Sequence, residues 1–109
     1  MAEVVNYKDI GFDMERLITD FDEATSNTTD ITWRRKQRKI MIKELNGQGD
    51  RIIAEAVAEY SAANNDFDAI LQSLSDFEEK LKQIADTVEK ATKVLGWLTK
   101  LAKYAGYVL

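Results

Sequence analysis

Residues 66–109 read DFDAILQSLSDFEEKLKQIADTVEKATKVLGWLTKLAKYAGYVL. Apolar side chains recur through this stretch at alternating steps of three and four: Phe67, Ile70, Leu74, Phe77, Leu81, Ile84, Val88, Ala91, Leu95, Leu98, Ala102, Ala105 and Leu109. That spacing is the apolar seam of a coiled coil. No Pro breaks the run, and only Gly96 and Gly106 interrupt good helix formers. The pattern predicts one helix over 66–107, roughly 65 Å long at about 1.5 Å per residue. A strip of that length has to lie against another helix, a second copy of the chain, or lipid.

Upstream, a first helix is predicted over 7–25. Ile10, Met14, Leu17, Phe21 and Ala24 mark its apolar face, Ile18 widens it, and Asn6 stands at the capping position. Residues 1–6 read as a loose terminus. The run Ala24-Thr25-Ser26-Asn27-Thr28-Thr29-Asp30 is rich in side chains that bond their own backbone, which predicts a turn. A second helix follows over 30–64, capped by Thr29 or Asp30. Its weak point is at 46–49, where Gly47 and Gly49 stand two apart; Leu45, Gly49, Ile52 and Ala56 keep one face across it. Asn64-Asn65-Asp66 ends this helix and caps the next. No convincing strand signal is present. The expected fold is all-α. It is a long antiparallel, coiled-coil-like hairpin of 30–64 against 66–100, with the shorter N-terminal helix packed alongside, and 7–109 forms a single domain.

Composition narrows the chemistry. The 109 residues include no His, no Cys and no Pro. Zinc sites, thiolate chemistry and His-based triads are excluded. The carboxylates Asp20, Asp22, Glu23, Asp66, Asp68, Asp76, Glu78 and Glu79 bracket Phe21, Phe67 and Phe77, so a Phe facing the seam leaves them outward and unperturbed, unlike a catalytic pair. Asn64–Asp68 opens like a calcium loop, but Ala69 and Ser75 stand where its Gly and Glu belong. No catalytic residue, metal ligand or cofactor is expected. The start lacks a signal peptide, no run of about 18 apolar residues would span a bilayer, and Asn27-Thr28-Thr29 is discounted as a glycosylation acceptor. The expected location is the cytoplasm, or one reached by signal-independent export, near a membrane if the apolar ending Gly106-Tyr107-Val108-Leu109 continues.

The net charge of −4 is segregated. Residues 1–30 hold eight acids against two bases, 31–49 one against six, 50–89 ten against three, and 90–109 none against four. Such blocks suit helices that pair acid against base. Three surfaces follow. The assembly seam is Phe67, Ile70, Leu74, Phe77, Leu81, Ile84, Val88, Leu95 and Leu98; its mixed side-chain sizes favour a bundle or higher oligomer. The cationic amphipathic segment 90–109 offers Leu95, Trp97, Leu98, Leu101, Tyr104 and Val108 to lipid. Arg34, Arg35, Lys36, Arg38 and Lys39, beside Trp33, form an anion-binding patch. The acidic blocks flanking that patch argue against nucleic acid and for an acidic helix of the same or another subunit. The expected function is non-enzymatic association, by self-assembly or with a helical protein. Docking on an anionic membrane surface is the alternative.

Overall fold

Asn6 caps helix α1, Tyr7–Ala24: its side-chain oxygen accepts from the Lys8 amide at 2.9 Å. The α1 face read from spacing, Ile10 through Ala24, is buried along its whole length, because α1 is the central helix, gripped between α2 (Ile31–Ala54) and α5 (Val88–Tyr104). The structure, a computed structural model, describes residues 2–54 and 57–107. In it the chain is all-α in architecture, a helical hairpin with further helices packed on it as a bundle.

The hairpin is formed by α1 and α2, joined by the expected turn, rather than by 30–64 against 66–100, because the chain after Asn65 folds back in shorter helices and leaves α1 as the partner of α2. Thr25 Oγ1 donates to the Phe21 carbonyl at 2.7 Å, and Asp30 Oδ1 accepts from the Trp33 amide at 3.2 Å to open α2. The charge blocks meet here. Arg38 Nε lies 2.9 Å from Asp22 Oδ1, and Arg34 donates from Nε to Thr25 Oγ1 at 2.9 Å. Helix α2 runs through Gly47 and Gly49 without a break.

From Val57 onward the chain departs from the helix expected over 30–64. Two three-residue strands, β1 (Val4–Asn6) and β2 (Val57–Glu59), pair antiparallel with Val5 opposite Ala58. Residues 1–6 are thus anchored from Val4 onward, and Glu3 donates to the Tyr104 carbonyl at 2.8 Å. The return from β2 is held by side chains of α2. Glu44 accepts from the Ala63 and Asn64 amides at 3.0 and 2.8 Å, Gln48 donates to the Ser61 carbonyl at 3.0 Å, and Arg51 donates to Ser61 Oγ at 3.0 Å. These bonds replace the backbone partners a helix would have supplied.

The single helix expected over 66–107 is three: α3 (Asn65–Gln72), α4 (Leu74–Ile84) and α5. The first break falls at Ser73, whose amide bonds the carbonyls of both Ala69 and Ile70. The second lies at Ala85–Thr87. Thr87 caps α5 by accepting from the Lys90 amide at 3.1 Å, and the Asp86 amide donates to the Ala24 carbonyl at 2.8 Å. Helix α5 closes at Gly106, whose φ of 86° lets the Tyr107 amide reach back to Ala102 at 3.0 Å. Folding back in three pieces lets each one lay its apolar face on α1, α2 or a neighbouring piece. A straight 65 Å rod does not fit a molecule whose longest extent is 40 Å.

Candidate functional site

The seam is where the fold-back has its main consequence. Phe67, Leu81 and Leu98 are fully buried, and Phe77 nearly so, in the chain's own core. Ile70, Leu74, Ile84 and Leu95 are half-buried, and Val88 is 75% exposed at the start of α5. Leu71 in α3 and Val94 in α5 take core positions that the three-four register passes over. The deepest seam residues therefore meet no second copy while the fold is closed.

The C-terminal segment behaves likewise. Leu98 and Leu101 are 0% exposed, so they reach lipid only if α5 leaves the core. Leu95, Trp97 and Tyr104 are half-buried, and Val108 lies outside the described residues. Trp97 donates from Nε1 to Asp20 Oδ2 at 2.7 Å. Lys100 lies 5.7 Å from the Trp97 ring and 3.1 Å from Asp13, whose carboxylate pushes the ammonium above its ordinary value. No helix among the described residues is long and apolar enough to cross a membrane.

The basic patch divides in two. Arg34 and Arg38 turn inward to Asp22 of α1. Arg35, Lys36 and Lys39 stay exposed, and among the described residues none of them forms an ion pair. Lys36 borders an open groove of about 400 Å³ between α2 and the α3–α4 pair. The groove floor is Trp33, Ile40, Ile70 and Phe77, with the Trp33 and Phe77 rings 5.3 Å apart. Lys80 lies on the same groove but is held at 2.7 Å from Asp30, which lowers the Asp30 carboxyl below its ordinary value.

A further surface was not anticipated. Phe12, Ile52 and Ile53 stay exposed beside one another on a groove between α1 and α2, and Ile53 is 88% exposed. Arg16 lies 5.5 Å over the Phe12 ring and still leaves it 59% exposed. Val4 and Val57 face outward from the ribbon at the same end of the hairpin. Among the described residues, Phe12, Ile52 and Ile53 share this groove, Val4 and Val57 lie on the ribbon at that end of the hairpin, and the exposed Ile31 and Val88 stand apart. The available sequence signal was an excess: Ile52 and Ile53 are adjacent, and one helix face cannot bury both.

The buried polar groups serve the fold. Burial pushes the Glu44 carboxyl up, against hydrogen bonds from Gln48, Ala63 and Asn64 that pull it down. Burial likewise raises the Tyr60 phenol. Among the described residues, no three acidic side chains converge as a metal would require. Compared with known proteins, the chain matches no family model, and no curated protein or solved structure is significantly similar to it.

Proposed function

We propose that the protein is a non-enzymatic helical interaction protein that works by association. Its first partner is a second copy of the chain, met at the apolar end of the α1–α2 hairpin. The observation that carries this is the groove shared by the exposed Phe12, Ile52 and Ile53, with the exposed Val57 and Val4 on the ribbon at the same end of the hairpin. Contiguous exposed apolar patches on small proteins mark interaction sites, whereas scattered ones do not. A second copy suits the face because its rim carries both signs, Lys8 against Glu15 and Asp50. A two-fold pairing would set each sign against its opposite. The same composition gives no single-sign field to recruit a polyanion.

The seam is the weaker assembly surface, since its deepest residues already fill the core. Membrane docking through 90–109 is weaker for the same reason. The test is light scattering over a range of concentrations. The wild-type mass should rise towards twice 12.4 kDa. Phe12→Asp should hold it at the monomer with an unchanged circular dichroism spectrum. A wild type that stays monomeric, or a Phe12→Asp chain that still associates, would overturn the proposal.

A further inference from the structure

A second surface, independent of the apolar end, carries its own reading. The α2–α3–α4 groove has an apolar floor and two walls of opposite sign. Its α2 wall carries Lys36, and helical spacing places the exposed Lys39 and Lys43 along the same edge. Its α3–α4 wall carries the exposed Asp66 and Asp76. The charge of Lys80 is already answered by Asp30. Among the described residues the Lys80–Asp30 pair, at the end where α2 begins, is the one ion pair that joins the two sides, and Lys36, Asp66 and Asp76 form none.

We propose that this groove docks an amphipathic helix of another protein, acidic along the edge that meets α2 and basic along the edge that meets α3 and α4. Helices recognise apolar grooves through residues spaced three and four apart. From Trp33 to Ile40 the floor runs two turns, about 10 Å. The opposed walls fix the direction of the guest, because a reversed or like-charged edge is repelled. They also select against a nucleic acid, whose phosphates would face Asp66 and Asp76. A concave floor does not match a flat lipid surface.

The probe is a synthetic helical peptide of about three heptads. It carries Leu on one stripe, Glu on one edge and Lys on the other. Trp33 emission, read in a Trp97→Phe background, reports binding, because Trp33 lies in the floor and Trp97 does not. The peptide should change that emission saturably. Lys36→Glu with Lys43→Glu should weaken binding about tenfold or more, and a peptide with Lys in place of Glu should recover it. Both positions are exposed, so circular dichroism should not change. No saturable response from the wild type, or equal affinity of the double variant, overturns the proposal. So does equal binding of oligo-dT or of phosphatidylserine vesicles. The mass of the free double variant should match that of the wild type, which separates failure of this groove from failure of the apolar end.

Discussion

A Cβ on Gly47 would stand 2.5 Å from the Cβ of Ala63, so the chain returning from β2 lies too close to α2 for any side chain there. Gly49, two residues on, would meet nothing within 4 Å. Composition alone makes the two alike, as twin weak points in a helix. Packing makes one a close approach and leaves the other a plain loss of helix propensity. Gly47→Ala should therefore lower stability by roughly 1–3 kcal/mol. Gly49→Ala should raise it by about 0.5–1 kcal/mol. Urea unfolding of the two variants checks the pair, and equal shifts of the same sign would contradict the packing at Ala63. The α1 face, from Ile10 to Ala24, and the caps Asn6, Asp30 and Asn64 were legible at this scale, because each depends on neighbours within a turn of sequence. The clamp by Glu44, Gln48 and Arg51 was not. It joins α2 to a segment some 10 to 20 residues away, with no local signature.

At the scale of elements, the three-four register misled over continuity, and it passed over Leu71 and Val94 while counting the exposed Val88. It tells which residues are apolar-facing in a helix, and it is blind to whether the helix stops and restarts in phase. Ser73 is such a stop. Ala85–Thr87 is another, and Asp86 and Thr87 are the capping residue types that could have signalled it. Thr87→Ala removes the bond to the Lys90 amide and should lower stability by about 1 kcal/mol. A thermal midpoint lower by several degrees would agree, and an unchanged one would mean that the Asp86–Ala24 bond alone sets the turn. The ribbon was beyond pattern reading, since strands of three residues show no period. The acid block of α1 against the basic block of α2 was readable as charge, and Asp22 with Arg34 and Arg38 is where it is realised.

At the scale of the molecule, 6448 Å² of accessible surface is close to the ~6,100 Å² that the size scaling gives for a compact monomer of this mass. The chain thus covers the deepest part of its own seam, and the association we propose uses what stays outside. Its response to pH follows from opposing groups. Glu44 is raised in the fold, so the folded state binds the extra proton first and stability increases as pH falls towards its ordinary 4.5. Asp30 and Asp86 are lowered below their ordinary 3.8, chiefly by hydrogen bonds from Lys80 and Lys90. Their contribution is present above 3.8 and is lost as pH falls through the lowered values. The thermal midpoint should hold or rise on acidification from neutrality and fall only below about 3.8. A steady decline from neutrality down to 4.5 would mean that Glu44 is not buried as described.

The most direct measurement compares three chains by sedimentation equilibrium: wild type, Ile53→Asp and Leu81→Asp. Ile53 is exposed at the apolar end, and Leu81 is fully buried in the core. The wild type should associate, and Ile53→Asp should be a folded monomer. Leu81→Asp should lose its helical circular dichroism, since an unpaired charge in the core is expensive. A folded, monomeric Leu81→Asp beside an Ile53→Asp that still associates would contradict the claim, and would return assembly to the seam.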